Sequence, residues 1–518
     1  MKKLAIVILS VVLLQSLYAQ KIENNIVVDT EAGKNVISRH IYGHFAEHLG
    51  RCIYGGIWVG EDSPIPNTRG VRNDVVAALK EIAIPNVRWP GGCFADEYHW
   101  MNGIGPRNQR PKMINTHWGG VTEDNSFGTH EFMDFCEQVG CEPVICGNLG
   151  SGTVREMAQW IEYLTSDNVS PMTELRKKNG REKPWRVKYW GLGNENWGCG
   201  GNMTPEFYAD QMRRYSTYCK NYSGNELYRV ACGPYDEYYA WMETLMKDPN
   251  NRNCFQGVSL HYYTICHNWT TKGSATNFDE NEWYQTMSKT LRMDEFVTKQ
   301  TAIMDKYDPE KKIGLVVDEW GNWFDVEPGT NPGFLYQQNT LRDALVAAIN
   351  LNIFNNHCER IKMANIAQMI NVLQAIILTN EDQIVLTPTY YVYKMFKIHQ
   401  DATQLPIALT CENYEQAGGS IPAVNASASV DKQGLIHITL CNINPNKDLK
   451  LTCELKGKMP LSVARAEIIT AGKMNAYNDF GKPEEVSLKK FSDVKSRKNS
   501  LTINLPAKSV VMVELAGK

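Results

Sequence analysis

The sequence predicts an α/β protein in which a (β/α)8 TIM barrel is followed by a C-terminal antiparallel β-sandwich of jelly-roll type. Three observations lead to this prediction. From Ile41 onward, apolar strand-like runs alternate eight times with amphipathic helical stretches. Two of these runs end in a carboxylic acid, at Glu195 and Glu319. Beyond about Gln400 the pattern changes to alternating apolar and polar residues with turn residues between them, which is typical of antiparallel strands.

The chain of 518 residues is longer than a usual single core, so we expect two domains and two shorter segments. Residues 1–19 combine two lysines, an apolar run too short to cross a bilayer and a small residue at position 19, which indicates a signal peptide. Residues 20–40 are a polar segment with short strands. The barrel is predicted over residues 41–398 and the sandwich over residues 399–518. The signal peptide predicts export, to the periplasm or the extracellular medium.

Each predicted barrel strand is an apolar run that ends in glycine or polar residues. The eight strands are expected near residues 41–46, 84–89, 143–148, 187–193, 228–233, 256–261, 313–318 and 361–366. Some intervening helices have clear start signals, such as Thr204 before Pro205, an N-cap residue followed by proline at the first helical position. The apolar faces of these helices are expected to pack on the barrel.

Composition and charge argue against several classes of partner. A net charge of −3 without long single-sign runs gives no reason to expect nucleic acid or a membrane surface. No later segment reaches about 18 uninterrupted apolar residues, the length that a membrane span needs. Most of the 14 cysteines lie in apolar runs, so we expect buried free thiols with one or two disulfides. Cys136, Cys141 and Cys146 are not spaced like zinc ligands, and we predict no metal.

The two strand-end glutamates are the candidates for chemistry. The run from Val187 ends in Gly-Asn-Glu195, and the run from Ile313 ends in Asp318-Glu319. Because the C-terminal strand ends of a TIM barrel converge on one face, these carboxyls can face each other across a sugar. Glycoside hydrolysis needs such a pair, one as proton donor and one as nucleophile or base. A separation of about 5–5.5 Å would give retention and about 6.5–9.5 Å inversion, and the sequence leaves both open.

Six motifs in the barrel resemble those of one family of enzymes. They are FAEHLGRCIYGGIW (45–58), RWPGGCFADEYHW (88–100), GLGNENW (191–197), SLHYY (259–263), VVDEWGNW (316–323) and MANIAQMINV (363–372). In this order they are similar to the family 51 α-L-arabinofuranosidases, which belong to the retaining (β/α)8 glycosidases. The resemblance covers the whole barrel. It also implies that the segment before the barrel, residues 20–40, joins the sandwich.

The resemblance implies a role for each strand-end residue. Glu195 would be the general acid/base and Glu319 the nucleophile, which fits an acid that stays protonated near neutrality and a nucleophile that is ionised. Asn194 would hydrogen-bond the sugar 2-hydroxyl, a contact that strengthens in the transition state. As a residue type alone, Asn194 could also be a turn former at a strand end.

Further residues match substrate-binding positions of the family. Glu47 would bind arabinofuranose hydroxyls, since a carboxylate can accept two hydrogen bonds from a polyol. Gln368 would contact the sugar from the side of the eighth strand. Tyr263 would hydrogen-bond the nucleophile and keep it ionised. His261 has two equally good interpretations, a structural histidine or a ligand contact.

Three more side chains are candidates for the substrate pocket. Cys93 stands where some family members have asparagine, and because a thiol is a poorer hydrogen-bond partner, we expect a weaker substrate contact there or one made by the backbone. Trp100 and Trp320 are expected to form walls of the sugar subsite, although tryptophan of this kind is as often buried in packing.

The function predicted from this resemblance is that of a retaining, exo-acting α-L-arabinofuranosidase. It would release terminal non-reducing arabinofuranose from arabinan, arabinoxylan or their oligosaccharides, without a metal or organic cofactor. The resemblance also implies a homo-oligomer, a hexamer in this family. Alternatives are a β-xylosidase or endoglucanase on the same barrel, because two glutamates do not distinguish furanose from pyranose, or a non-catalytic carbohydrate-binding protein.

Overall fold

The computed structural model describes residues 23–457, 461–497 and 500–517. The predicted signal peptide, residues 1–19, lies outside these ranges. Eight parallel strands close into a barrel in which neighbours follow chain order. They are β1 (Gly43–Phe45), β2 (Asn86–Trp89), β3 (Glu142–Gly147), β4 (Tyr189–Leu192), β5 (Tyr228–Ala231), β6 (Gly257–Thr264), β7 (Gly314–Asn322) and β8 (Ile361–Ile366). The predicted barrel is therefore confirmed.

Helices cover the outside of the barrel. They are α1 (Asn73–Glu81), α2 (Thr129–Val139), α3 (Val154–Thr165), α4 (Pro171–Lys178), α5 (Pro205–Tyr218), α6 (Tyr239–Lys247), α7 (Pro249–Arg252), α8 (Glu280–Tyr307), α9 (Leu341–Asn356) and α10 (Pro388–Phe396). The start of α5 is the one predicted, since the Thr204 side chain accepts a hydrogen bond from the Phe207 amide. No helix in the part of the chain that the structure describes has both the length and the apolar character for a membrane crossing.

The barrel interior is apolar in its N-terminal half and polar at its C-terminal end. One buried cluster takes a side chain from each of five strands, Val144, Tyr189, Val230, Val316 and Met363. Polar residues follow on the same strands at their C-terminal ends. Because the apolar cluster fills the lower barrel, the polar residues can meet only at the upper face.

The second domain is a pair of packed sheets. The five-stranded sheet has the order Ile407–Thr410, Asn24–Asp29, Leu449–Lys456, Ser500–Leu505 and Val494–Arg497. The six-stranded sheet has the order Thr403–Gln404, Val424–Val430, Ile436–Asn442, Ser509–Gly517, Leu461–Ile469 and Lys489–Lys490. The predicted C-terminal antiparallel domain is confirmed, with one parallel pairing, between Asn24–Asp29 and Leu449–Lys456.

Helix α9 follows β7 in the chain and packs between the barrel and the sandwich. It is buried along nearly its whole length, and its apolar residues are accordingly not confined to one face. Six of its sixteen residues are polar or charged, and several of them pair with the six-stranded sheet, for example Asn352 with Asn425 and Asn355 with Ser427. The sandwich therefore packs on the barrel through a satisfied polar seam within an apolar contact.

Short elements complete the described chain. The remaining strands are Asn67–Thr68, Val71–Arg72, Met113–Ile114, Thr122–Glu123, Ile377–Asn380, Gln383–Leu386, Asn413–Gln416 and Gly419–Pro422. The 3-10 helices are Arg39–Tyr42, Cys93–Asp96, Trp100–Gly103, Arg107–Gln109, Pro332–Phe334 and Lys397–His399.

Candidate active site

A pocket of about 380 Å³ opens at the C-terminal ends of the barrel strands. Its volume is in the range of pockets that hold small ligands. It is lined by Glu47, Leu49, Cys93, Trp118, Glu195, Trp197, Tyr235, Asp236, His261, Tyr262, Tyr263, Trp269, Glu319, Trp323, Leu335, Gln368 and Leu373. Four carboxylic acids surrounded by aromatic rings suit a polyol, because the rings cover its apolar face while the oxygens bind hydroxyls.

The two strand-end glutamates face each other in this pocket. Glu319 lies within β7, and Glu195 lies just beyond the end of β4, with a backbone φ of 41° in the left-handed region. An oxygen of one carboxyl lies within 4.8 Å of an oxygen of the other. This limit fits the spacing of about 5–5.5 Å between carboxyls that accompanies double displacement.

Glu319 is held by hydrogen-bond donors. Arg88 Nη1 donates to Oε2 at 3.1 Å, and the Tyr263 hydroxyl donates to Oε1 at 2.9 Å. Burial and the neighbouring Glu195 raise the pKa of Glu319 from its ordinary value, whereas His261, Arg88 and Tyr263 oppose that rise. The donors therefore favour the ionised form that a nucleophile needs.

Glu195 has a different environment. Its Oε1 accepts a hydrogen bond from His261 Nδ1 at 2.8 Å, and its Oε2 lies 3.5 Å from Cys199 Sγ. Cys199 forms a disulfide with Cys93. Cys93 therefore lines the pocket as half of a disulfide, and its thiol cannot serve as the weak donor that the sequence suggested. Any polar contact at this position must come from its backbone.

His261 lies between three carboxylates. Besides Glu195, its Nε2 is 3.2 Å from Asp318 Oδ1, and its Nδ1 is 3.6 Å from Glu319 Oε2. Burial alone would lower the pKa of His261, but Glu319, Asp318 and Glu195 together raise it to about 10. Asp318 also lies 3.4 Å from Arg88 Nε. Both interpretations of His261, a structural histidine and a ligand contact, describe part of what the structure shows: its ring is held by carboxylates, and it lines the pocket.

Glu47 and Gln368 form one hydrogen-bonded unit at the side of the pocket. Gln368 Nε2 donates to Glu47 Oε2 at 2.7 Å, while Glu47 Oε1 accepts from the Gly92 and Phe94 amides and from Trp118. Burial, with a contribution from Glu319, raises the pKa of Glu47 to about 7.

Two glycines let the loop after β2 approach these carboxylates. A Cβ at Gly91 would lie 2.5 Å from Glu47 Cγ, and one at Gly92 would lie 3.1 Å from Glu319 Oε2. A side chain at either position would displace a carboxylate, which explains the Pro-Gly-Gly sequence at this strand end.

Asn194 lies beneath the pocket rather than in its lining. Its backbone N–H donates to Asp96 Oδ2 at 3.0 Å, and its side-chain oxygen accepts a hydrogen bond from Arg88. Its Nδ2 would be 3.6 Å from a Cβ at Gly92, so the amide group points toward the same space as Glu319. Arg88 therefore orients both residues.

Trp100 and Trp320 do not form walls of the pocket, which corrects that expectation. Trp100 is buried on α3, where it stacks on Trp160 and its Nε1 donates to the Glu156 carbonyl. Trp320 is buried against Phe354 of α9, because it follows Glu319 on a strand and must face the opposite side. The tryptophans that line the pocket are Trp118, Trp197, Trp269 and Trp323.

Side chains of the metal-ligand type gather at three places in the described residues. Two of the groups share Glu195, one with the disulfide cysteines and one with His261 and Glu319. In these, sulfur is oxidised and both imidazole nitrogens face carboxylates, so neither the sulfur nor the ring offers a free lone pair to a metal. The third is Cys266, His267 and Glu282, where His267 is hydrogen-bonded to Glu282 at 2.9 Å. The expectation of a metal-free reaction stays a prediction.

Comparisons with known proteins give consistent results. A family model described as the α-L-arabinofuranosidase 1 domain matches residues 78–282, and one for the α-L-arabinofuranosidase C-terminal domain matches residues 318–509. A Bacteroides ovatus protein named intracellular exo-alpha-L-arabinofuranosidase is 55% identical over 502 residues, which cover 96% of this chain and 97% of the relative.

Solved structures agree. The crystal structure of the GH51 arabinofuranosidase from Xanthomonas axonopodis pv. citri is 50% identical with a TM-score of 0.94, over 96% of this chain and 100% of that one. An α-L-arabinofuranosidase from Thermotoga maritima, solved as an arabinose complex, is 30% identical with a TM-score of 0.83, over 95% of this chain and 99% of that one.

One comparison overturns the predicted location. The Bacteroides ovatus relative is named an intracellular enzyme, so the prediction of export to the periplasm or medium is wrong. That prediction rested on two lysines and a short apolar run in residues 1–19, which lie outside the described residues. Such a pattern is compositional, and by itself it does not establish cleavage or export.

Proposed function

The chain belongs to the glycoside hydrolase family 51 α-L-arabinofuranosidases, and we propose that it is a retaining exo-glycosidase that releases terminal non-reducing α-L-arabinofuranose. One observation carries the proposal: Glu195 and Glu319 face each other at short spacing in a pocket at the upper face of the barrel. Arabinan, arabinoxylan and their oligosaccharides are the substrates, which places the enzyme in arabinan degradation and L-arabinose metabolism.

In the first step of the proposed reaction, Glu319 attacks the anomeric carbon while Glu195 gives its proton to the leaving oxygen. The sugar is then bound to Glu319 as an ester. In the second step Glu195, now ionised, takes a proton from water, and that water replaces Glu319 at the anomeric carbon. Two inversions give net retention, and no metal or organic cofactor takes part.

The remaining site residues divide the work of binding. Glu47 and Gln368, already joined by a hydrogen bond, accept and donate to the sugar hydroxyls from the side of β1 and β8. Asn194 donates to the 2-hydroxyl, supported by its position beside Glu319. Tyr263 orients the nucleophile. Cys93 contributes a disulfide surface and its backbone to the wall next to Glu195.

The first experiment is hydrolysis of an aryl α-L-arabinofuranoside by the wild-type protein and by Glu195→Ala, with and without azide. We expect the wild type to turn over and the variant to lose about 10²–10⁴-fold in rate, the usual contribution of a general acid/base. Azide should restore part of the rate, because it attacks the glycosyl-enzyme without needing a base. The control is Glu142→Ala, which removes an exposed carboxyl at the opposite end of β3.

Two outcomes would contradict the proposal and favour one of the alternative functions. A folded wild type that releases xylose or glucose, but no arabinose, from mixed oligosaccharides would favour a β-xylosidase or endoglucanase. A folded wild type that binds arabinose-containing sugars without cleaving any would favour the non-catalytic binding protein. Neither nucleic acid nor a membrane surface is proposed as a partner.

Assembly is the remaining part of the proposal. We propose a homo-oligomer, and specifically a hexamer, on the resemblance of the barrel motifs to family 51 enzymes. Light scattering coupled to gel filtration measures the mass directly. A mass equal to that of one chain, 58.7 kDa, would exclude the oligomer without affecting the proposed chemistry.

A further inference from the structure

Five charged or ionisable side chains lie together at the pocket: Glu195, His261 and Glu319 line it, and the buried Arg88 and Asp318 lie next to them. Arg88 and His261 are the cations, Asp318 and Glu319 are carboxylates paired with them, and Glu195 accepts the hydrogen bond of His261 Nδ1. Asp318 is not among the residues that line the pocket, yet it is buried and touches both cations. The reaction proposed above gives it no role.

The formal charges of this cluster balance. With Glu195 protonated, as the first step requires, two cations face two carboxylates. When the sugar is bound to Glu319 as an ester, Glu319 is neutral and Glu195 is ionised. The two cations then again face two carboxylates, Asp318 and Glu195. The negative charge has only moved from one glutamate to the other. A buried cluster that stays neutral through both steps avoids the cost of an unpaired buried charge.

His261 is placed to follow that movement. Its Nδ1 lies 2.8 Å from Glu195 Oε1 and 3.6 Å from Glu319 Oε2. One N–H can therefore face whichever glutamate is ionised, provided that the ring remains an imidazolium throughout. The opposite nitrogen, Nε2, needs a permanent carboxylate partner for this, and Asp318 Oδ1 at 3.2 Å is that partner.

We propose, on the basis of the function proposed above, that Asp318 is a positioning residue: it holds His261 as an imidazolium, which then stabilises Glu319 before glycosylation and Glu195 after it. Asp318 acts through His261 and does not touch the substrate. No bond forms or breaks at Asp318 or at His261, and the proton of the ring stays on it.

Other groups around His261 do not replace Asp318. Asp236 approaches from the segment after β5, Tyr263 lies on the same strand, and Arg88 comes from β2. Burial raises the pKa of Asp236 to about 6, and no hydrogen bond joins its carboxylate to the ring among the described contacts. The pKa of Asp318, by contrast, is held below its ordinary value, because Arg88 and His261 outweigh its burial.

A direct measurement on the wild type tests the charge of His261. In protein with ¹³C-labelled histidine, the resonance that disappears in His261→Gln identifies this ring. We expect it to keep the imidazolium chemical shift to about pH 9, in line with a pKa of about 10. A resonance that titrates near the ordinary histidine value, about 6.5, would overturn the proposal. This measurement needs no substrate, so it is independent of the proposed function.

The second measurement is the pH profile of kcat/KM for Asp318→Asn. Without Asp318, a charged His261 would leave the cluster with an excess positive charge, so the ring should become neutral. Both glutamates then lose a nearby cation, and both limbs of the profile should move to higher pH by about one unit, a tenfold change in the populated form. In the same variant the glycosyl-enzyme should accumulate, which intact-protein mass spectrometry would detect.

The direction of the shift separates this proposal from a direct effect of the Asp318 charge. If His261 stayed charged in the variant, removal of one carboxylate would move both limbs to lower pH, and the proposal would fail. A matched control is Asp308→Asn, which removes a carboxylate paired with Arg360 near the start of β7. It should lower stability and leave both limbs in place. Should Asp318→Asn not fold, the histidine titration decides alone.

Discussion

The two halves of the active site hold their glutamates in different ways. Glu319 lies within β7, where the pairing with both neighbouring strands shifts register, is 10% exposed in its side chain and receives donors from Arg88 and Tyr263. Glu195 lies in a left-handed turn past the end of its strand, is 17% exposed and touches a disulfide and one histidine. One carboxylate is fixed by several hydrogen bonds, and the other by a turn and a single shared cation.

This difference corresponds to the chemistry that each carboxylate must perform. A nucleophile has one ionisation state before attack and one trajectory, so a rigid strand and fixed donors suit it. An acid/base must lose and regain a proton in every cycle, so fixed donors would favour its ionised form at the wrong step. His261 can serve both because it lies between them. Removing individual groups from each half should break the comparison in an ordered way.

The largest effect is expected for Glu319→Gln. The amide keeps the shape of the carboxylate, but its NH2 group cannot accept the hydrogen bond of Arg88 or Tyr263, and the side chain cannot form the glycosyl ester. We therefore expect kcat to fall by about 10³-fold or more, a loss typical of removing a nucleophile that acts with its partners as a unit. Steady-state kinetics with an aryl arabinofuranoside measures this. Intact turnover by Glu319→Gln would exclude the assignment of Glu319, whichever sugar proves to be the substrate.

A smaller effect is expected for Tyr263→Phe. The Tyr263 hydroxyl donates to Glu319, and this bond favours the ionised carboxylate, so its loss should raise the pKa of Glu319. The acidic limb of the kcat/KM profile should move to higher pH while the basic limb stays in place. A hydrogen bond to a charged group contributes about 1.5–3 kcal/mol, which corresponds to a loss of about ten- to a hundredfold near neutrality.

The acidic and basic limbs of the kcat/KM profile of Tyr263→Phe can respond separately, which makes this variant informative. Movement of both limbs would mean that Tyr263 acts on the whole cluster, as proposed for Asp318, rather than on the nucleophile alone. An unchanged profile would show that Arg88 and His261 are enough to keep Glu319 ionised.

The sequence was sufficient for the barrel and for the two glutamates. Both follow from local patterns: apolar runs of strand length, regular spacing, and a carboxyl directly at a strand end. Beyond these local patterns, only the closure of the barrel is needed to bring Glu195 and Glu319 to the same face. That is why the eight strands and the pocket containing Glu195 and Glu319 match the prediction.

The contacts between distant residues could not be read in the same way. His261 and Asp318 are 57 residues apart, and they meet because β6 and β7 pair in a register that places His261 opposite Glu319. Cys93 and Cys199 are 106 residues apart and join because two strand-end loops converge. Register and loop convergence are tertiary properties, and spacing along one chain does not encode them.

The smallest effect on catalysis, and the one that tests the boundary between pocket and core, is expected for Trp100→Phe. Trp100 is buried, stacks on Trp160 and donates its only N–H to the Glu156 carbonyl. A phenylalanine would leave that carbonyl without its partner and part of the space empty, so we expect about 1–3 kcal/mol less stability in chemical denaturation. Because Trp100 does not line the pocket, KM and kcat should remain within about twofold at a temperature where the variant is folded.

The paired variant Trp323→Phe, which changes a ring that does line the pocket, should show the opposite pattern, a raised KM with little change in stability. A raised KM for Trp100→Phe in the folded variant would mean that the packing of Trp100 on α3 affects substrate binding through the loop after β2. Trp100 would then count as part of the support of the sugar-binding wall rather than of the core alone.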